Sequence, residues 1–118
     1  MNHMINTGKI GEDIAYQYLK NLGYKILMRN FRIRGGEIDI IAVDGNTLVF
    51  VEVKTRSSDL FGTPEEAIHF HKLRFIERAG KFFRAGRNNL PEAERIDVIA
   101  IDLAEEKAKI RHIKNAGF

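Results

Sequence analysis

The feature that most constrains this chain is a pair of apolar segments, each interrupted by charged residues. Residues 36–56, GEIDIIAVDGNTLVFVEVKTR, are typical of two strands joined by a tight turn. Side chains alternate between the two faces of a strand. One face of the first strand is expected to carry Ile38, Ile40 and Ala42, and the other Glu37, Asp39, Ile41 and Val43. One face of the second is expected to carry Val49, Val51 and Val53, and the other Leu48, Phe50, Glu52 and Lys54. Charges within an otherwise apolar face indicate a functional site.

The turn between these strands allows two registers. If Gly45-Asn46 is a two-residue loop that begins with glycine, Asp39 lies opposite Glu52 and Glu37 opposite Lys54. Two carboxylates at that spacing repel each other unless a positive group lies between them. If Asp44-Gly45 forms the loop instead, the two carboxylates are diagonal neighbours. Both registers place them on one face.

Length and composition predict the general class of the protein. At 118 residues the chain is expected to form a single domain, residues 1–118, of which residues 1–6 are a loose end. There is no cysteine, which excludes disulfides and thiolate metal sites. No apolar run approaches the roughly 20 residues of a membrane span, and the N-terminus lacks a signal-peptide pattern. We therefore expect a cytoplasmic protein without membrane contact.

Apolar residues from about Thr7 to Leu22 recur at helical spacing, and Gly23 is a natural stop. Glu12 lies at the margin of the apolar stripe, so its carboxylate can reach a site on the sheet. It could equally be a solvated acid in the first turn that complements the helix dipole. Position alone favours this second interpretation of Glu12.

A second helix is predicted from Thr63 to about Arg84. Thr63, Pro64 and Glu66 form a capping-box start, and Gly86 lies beyond the end. The predicted apolar stripe consists of Ile68, Phe75, Ile76, Ala79, Phe82 and Phe83. Lys72 falls inside this stripe, where it either extends from the rim of the core to solvent or points toward the site.

The remaining segments predict three more strands, at Tyr24–Ile33, Arg95–Asp102 and Lys107–Ile113. Asp97 shares a face with Arg95, and an ion pair between them would explain why this buried strand carries two charged residues. The second helix connects the third strand to the fourth, and such a crossover makes those two strands parallel. The expected fold is therefore α/β, in the order αβββαββ, with a mixed sheet flanked by helices.

The candidate site consists of carboxylates and a lysine. The histidines lack metal-binding spacing, and no Gly-rich phosphate loop is present. Oxygen ligands suit a hard cation such as Mg²⁺. A metal beside Lys54 is well suited to phosphodiester hydrolysis, because it can activate water and offset the charge of the transition state. A structural ion-pair cluster is the alternative.

Aspartate on one strand, followed by Glu52-Val53-Lys54 on the next, resembles the PD-(D/E)xK nuclease superfamily with its restriction-endonuclease-like fold. More closely, the chain resembles the YraN family of uncharacterised bacterial endonuclease-like proteins (UPF0102). The matching segments include Gly11-Glu12, Asn30-Phe31-Arg32, Gly36-Glu37-Ile38-Asp39, residues 50–56 (FVEVKTR), Lys72, Arg95, Asp97 and His112-Ile113. Gly117 before the final Phe118 departs from the family pattern.

The resemblance implies a role for each site residue. Asp39 and Glu52 would bind Mg²⁺ or Mn²⁺ with the Val53 carbonyl, and Lys54 would be the catalytic lysine. It also implies a catalytic role for Glu12, since archaeal Holliday-junction resolvases carry a similar helix carboxylate.

The expected substrate is DNA, with branched or structured DNA as one option. Arg34, Arg56 and Lys72 would contact its phosphates. Resolvases are often dimers, so a homodimer is a further option. Two other functions stay open: a nucleic-acid-binding module without turnover, and a structural domain whose charges form an ion-pair network.

Overall fold

A computed structural model describes residues 6–57, 70–104 and 106–116. The elements are helix α1 (Thr7–Asn21), strands β1 (Lys25–Ile33), β2 (Gly36–Asp44) and β3 (Thr47–Arg56), helix α2 (Phe70–Arg84), and strands β4 (Ala93–Asp102) and β5 (Lys109–Ile113). The sheet has the order β1-β2-β3-β4-β5. Its neighbouring strands are antiparallel except β3 and β4, which are parallel. The predicted fold class, element order and crossover are confirmed.

Helix α1 begins and ends as its sequence predicts. The side chain of Asn6 accepts a hydrogen bond from the Lys9 N–H at 3.0 Å, and Gly23 follows the helix with φ 93°. Asparagine is a favoured N-cap, and glycine adopts this left-handed conformation without steric cost. The first turn of α1 contains no acidic residue. The interpretation of Glu12 as a first-turn acid is therefore wrong, because Glu12 lies one turn later.

The two helices cover opposite faces of the sheet. Ala15 and Leu19 of α1 pack on a cluster that contains Val49 and Val51. On the other side Ile76, Ala79 and Phe83 of α2 pack on Leu48, Phe50 and Ile41. The alternation predicted for β3 is thus confirmed. Its central residues are buried from both sides because each face has its own helix.

The alternation predicted for β2 is wrong at Ile38. This residue belongs to the cluster under α2 together with Ile41, whereas Ile40 belongs to the cluster under α1. The pattern therefore shifts at Asp39. On β1, Asn30 has φ 54° and lies between the residues that pair with Ile40 and Ile38. A residue in the left-handed conformation changes the direction of a strand. The bend of β1 at Asn30 therefore lies beside the position where the alternation of β2 shifts.

The hairpin between β2 and β3 has the register of the Gly45-Asn46 loop. Asp44 pairs with Thr47, and the paired residues continue as far as Ile40 with Val51. Gly45 has φ 61°, as the first residue of this turn type requires. The alternative loop is therefore wrong. The strands stop pairing before Asp39 and Glu52, so these two residues are not a cross-strand pair.

Helix α2 buries a narrower stripe than predicted. Ile76, Ala79 and Phe83 are buried, but Phe75 is 40% and Phe82 58% exposed. Phe75 and Phe82 lie seven residues apart at one margin of the stripe, where the sheet does not cover them. Gly86 follows the helix with φ 78°, as predicted. The predicted capping box at Thr63 lies outside the described residues, as does Gly117.

The other boundaries agree with the sequence within a few residues, and β5 is largely exposed. Within the described part of the chain, neither helix has the length and apolarity that a membrane crossing requires.

Candidate metal and nucleic-acid site

Strands β2 and β3 separate at Asp39, and the opening is called the fork below; it is formed by Asp39, Glu52 and Val53. An Asp39 carboxylate oxygen accepts a hydrogen bond from the Val53 N–H at 2.8 Å. In a strand, the N–H and C=O of one residue point toward the same neighbour. The Val53 carbonyl therefore also faces β2. The Asp39 side chain thus accepts the hydrogen bond that a backbone carbonyl of β2 would accept if the strands stayed paired.

Glu52 is the second carboxylate of the fork, and it is only 3% exposed. Its Oε1 atom lies 3.8 Å from Nζ of Lys54 and 3.5 Å from Nζ of Lys72. Its Oε2 atom is buried and has no hydrogen-bond partner among the residues that the structure describes. A buried carboxylate oxygen without a partner lowers the stability of the fold. A further positive group at the fork would therefore stabilise Glu52.

The pKa values of both carboxyl groups are raised. Burial, opposed by the hydrogen bond from Val53, raises the pKa of Asp39 to about 6. Burial, followed by the charge of Asp39, raises the pKa of Glu52 to about 7, although Lys72 and Lys54 act in the opposite direction. The charge of Asp39 thus makes ionisation of Glu52 harder, and the charges of Glu37 and Glu12 likewise raise the pKa of Asp39. A bound cation would remove this conflict.

Glu12 extends from α1 to the same site. Its Oε1 atom accepts hydrogen bonds from Asn30 at 2.8 Å and from Arg29 at 3.2 Å. The side chain is only 15% exposed. Glu12, Asp39, Glu52 and Val53 line one cavity of about 390 Å³ with Asn6, Gly8, Lys9, Asn30, Arg32 and Glu37. The structure therefore brings the predicted site carboxylates together.

The donor set of the fork fits a hard cation, with two protein carboxylates and a backbone carbonyl as oxygen ligands. The unpaired Oε2 of Glu52 is the observation that supports this fit. Among residues 6–57, 70–104 and 106–116, however, no three His, Cys, Asp or Glu side chains form a metal-binding group. The Glu12 carboxylate is already hydrogen-bonded to Asn30 and Arg29 and is not a third ligand. Water molecules would therefore have to occupy the remaining coordination positions of the cation.

The predicted phosphate contacts differ in their position. Lys72 points into the site, where it contacts Glu52. Arg34 is exposed in the β1–β2 turn and does not line the cavity at the fork. Arg56 lies at the end of β3 and binds the Asp102 carboxylate through two hydrogen bonds, at 3.1 and 2.8 Å.

Three residues near the fork have roles that the sequence pattern did not reveal. Arg32 and Asn30 line the cavity, and Glu37 forms an ion pair with Arg32 at 3.3 Å. The sequence instead placed Glu37 opposite Lys54 in one of the two registers. Arg32 pairs with Glu37 across β1 and β2. Their motifs, Asn30-Phe31-Arg32 and Gly36-Glu37, were visible, but their adjacency depends on the pairing of the strands.

The predicted ion pair between Arg95 and Asp97 is confirmed and belongs to a larger network. Fully buried Asp97 accepts from Arg95 Nε at 2.9 Å, from the Asn115 N–H at 3.0 Å and from His112 Nε2 at 2.7 Å. The Tyr18 hydroxyl lies 3.2 Å from His112 Nδ1. Burial alone would raise the pKa of Asp97, but these hydrogen bonds lower it. The network links β4, β5 and α1.

Fold and site together define a mixed α/β protein with a buried carboxylate–lysine cluster at the fork of its sheet. Residues 11–101 match the model of a family described as "Uncharacterised protein family UPF0102". A UPF0102 protein of Alkaliphilus oremlandii is 51% identical over 112 residues, which cover 92% of this chain and 95% of the relative. One of Geobacter metallireducens is 47% identical over 114 residues, covering 97% and 93%. The chain belongs to the UPF0102 family.

Proposed function

We propose that this protein is a metal-dependent nuclease that hydrolyses phosphodiester bonds in DNA in the cytoplasm. The observation that carries the proposal is the Glu52 carboxylate. It is buried, lies beside Lys54 and Asp39, and has one oxygen without a hydrogen-bond partner in the described part of the chain. A cluster of negative charge at a sheet fork, with two lysines beside it, suits cation binding and phosphate chemistry.

Asp39, Glu52 and the Val53 carbonyl would bind Mg²⁺ or Mn²⁺. When bound, the metal supplies a Lewis acid for the phosphate and lowers the pKa of water. Lys54 holds the attacking water or stabilises the negative charge that develops on the phosphate. Glu12, already oriented by Asn30, positions water in the same cavity.

The resemblance to the PD-(D/E)xK superfamily supports this assignment, because Asp39, Glu52 and Lys54 correspond to its motif and lie together here. Lys72 is placed for a phosphate contact, and Arg34 and Arg56 are further candidates for such contacts. Branched DNA as substrate and a homodimer as the assembly are proposed from the resemblance to Holliday-junction resolvases.

The test is a cleavage assay on linear, single-stranded, flapped and four-way DNA and on RNA, with and without Mn²⁺. We expect Mn²⁺-dependent cleavage of DNA by the wild type and none by Lys54→Ala, which should still bind DNA. Lys25→Ala is the matched control, because Lys25 is exposed at the start of β1. Undiminished cleavage by Lys54→Ala would disprove the assignment.

A second candidate is a nucleic-acid-binding protein without turnover. Glu52 Oε1 already has Lys54 and Lys72 as neighbours, and the described residues contain no three-residue metal group. The two lysines can therefore partly compensate the carboxylates without metal. Salt-dependent DNA binding without cleavage of any substrate in Mg²⁺ or Mn²⁺ would favour this candidate.

A further inference from the structure

A second cavity adjoins the cavity at the fork. It has a volume of about 340 Å³, and Arg32 and Glu37 line both. Its other walls include Lys72 and Phe75 of α2 and Ile33 at the end of β1. The second cavity, called the aromatic groove below, is therefore continuous with the proposed reaction site.

Phe75 is held at this position by close packing of its backbone. A Cβ atom added to Gly36 would lie 3.2 Å from the Phe75 carbonyl oxygen and 3.6 Å from its Cβ atom. Helix α2 thus approaches the first residue of β2 closely, which glycine permits. The Phe75 side chain is nevertheless 40% exposed. Its position is defined by packing, while part of its ring surface stays accessible.

Positive charges flank Phe75 on the side of the fork. Lys72 lies one helical turn before Phe75, so both side chains are on the same side of α2. The Nζ atom of Lys72 is 3.5 Å from Glu52 Oε1, which places it between the aromatic groove and the fork. Arg32 lines the groove at its boundary with the fork, and its side chain is 73% exposed.

An accessible aromatic ring with cations beside it is the chemistry that recognises a nucleotide without a base-pairing partner. The ring stacks on a base, and the cations bind the adjoining phosphate. Both faces of a base within a duplex are covered by its neighbours. Only an unstacked base can therefore reach Phe75.

We infer that the aromatic groove binds one unpaired nucleotide next to the scissile phosphate, with its base on Phe75 and its phosphate at Lys72 and Arg32. This inference rests on the proposed nuclease function and specifies its substrate class. The substrate is a nucleic acid with a single-stranded or splayed segment at the site of cleavage. Intact duplex cannot fill the groove.

The experiment compares binding of one labelled single strand and of its duplex in the absence of divalent metal. In a parallel series each nucleotide of the strand is replaced in turn by an abasic one. The variants are Phe75→Ala, Phe75→Tyr, which retains the ring, and Phe82→Ala. Phe82 is the matched control because it is a 58% exposed phenylalanine on the same helix and does not line the groove. Thermal unfolding shows whether each variant is folded.

We expect Phe75→Ala to bind the single strand roughly 5- to 100-fold more weakly, which corresponds to the loss of one stacked base. Duplex binding should not change, and Phe75→Tyr and Phe82→Ala should bind like the wild type. One abasic position should weaken binding to the wild type but not to Phe75→Ala, since the base and the ring act as a pair.

Equal loss of single-strand and duplex binding in Phe75→Ala, or no loss of either, would overturn the inference. If cleavage that depends on Lys54 persists in that case, the inference fails and the proposed function stands. If the preference for unpaired nucleotides depends on Phe75 but no metal-dependent cleavage is found, the nuclease function fails instead. If the protein binds no nucleic acid, both are wrong.

Discussion

The carboxylate of Asp39 accepts a hydrogen bond from the backbone N–H of Val53 at 2.8 Å, at the point where two paired strands separate. This contact places a carboxylate in the sheet layer and leaves the Val53 carbonyl facing it. Glu52, the preceding residue of β3, adds a buried carboxylate, one oxygen of which has no hydrogen-bond partner among residues 6–57, 70–104 and 106–116. The end of strand pairing thus creates the proposed metal site, and its electrostatics can be measured.

Replacing Glu52 with glutamine should stabilise the metal-free protein at pH 8. The charged carboxylate is buried near Asp39, and glutamine removes the charge while retaining the shape. We expect the free energy of unfolding in urea to rise by about 1–3 kcal/mol. The control is Glu37→Gln, since Glu37 lines the same cavity but is 36% exposed and should change stability by less than about 1 kcal/mol. A less stable Glu52→Gln protein would contradict the raised pKa.

The gain from Glu52→Gln should depend on pH. The pKa of Glu52 is raised from its ordinary 4.5 to about 7, so the folded state binds the proton more tightly than the unfolded state. The stability that the folded state gains by binding this proton more tightly is fully present below pH 4.5 and is lost as the pH rises through about 7. The difference between Glu52→Gln and wild type should therefore be largest above pH 7 and small at pH 4.5. Unfolding curves across this range measure it; a difference that grows toward low pH would contradict the sign.

Metal binding should compete with protons at the fork. Because burial raises the pKa of Asp39 to about 6 and the pKa of Glu52 to about 7, the apparent affinity for Mn²⁺ should fall as the pH drops from 8 to 5. Calorimetric titration at several pH values measures this fall. At 100 times its dissociation constant, Mn²⁺ should add about 2.7 kcal/mol to the stability of the wild type. If Mn²⁺ stabilises Glu52→Gln as much as it stabilises the wild type, the metal binds at another site.

Replacing Gly11 with alanine should destabilise the protein, because α1 approaches β3 closely at this residue. An added Cβ atom would lie 1.8 Å from Oγ1 of Thr55 and 2.8 Å from its Cβ atom, so the helix must move. We expect a loss of about 1–3 kcal/mol in the free energy of unfolding. Gly8→Ala is the matched control: its nearest new contact is 3.4 Å away, and alanine favours a helix. Equal effects would contradict this packing.

Replacing Asp97 with asparagine should strongly destabilise the protein without involving the fork. The amide loses the charge that Arg95 and His112 contact and cannot accept all three hydrogen bonds. We expect a loss of about 3–5 kcal/mol. Glu94→Gln is the control, because its ion pair with Arg84 is at the surface, where such pairs contribute about 0–1 kcal/mol. A loss below 1 kcal/mol in Asp97→Asn would show that the network is dispensable.

Much of the fold could be predicted because its signals are local. The apolar spacing of α1, the turn residues around Gly45 and the helical pattern between β3 and β4 are each visible within a short segment, although the turn residues left two loops open. Failures occurred where the local pattern was broken. Ile38 was assigned to the wrong face because the shift at Asp39 accompanies a left-handed Asn30 on the neighbouring strand. Phe82 was assigned to the core because periodicity alone cannot show how far the sheet extends.

The sequence by itself determined the two charged strands, limited the register of their turn to two alternatives and identified Asp39, Glu52 and Lys54 as the candidate centre. Only the tertiary structure decided that the strands separate at Asp39, so that its carboxylate binds Val53 rather than facing Glu52. It also brought Glu12 and Lys72, from helices on opposite faces, to the two carboxylates, and placed Phe75 beside them. These relationships depend on strand pairing and helix packing, which join residues far apart in the chain.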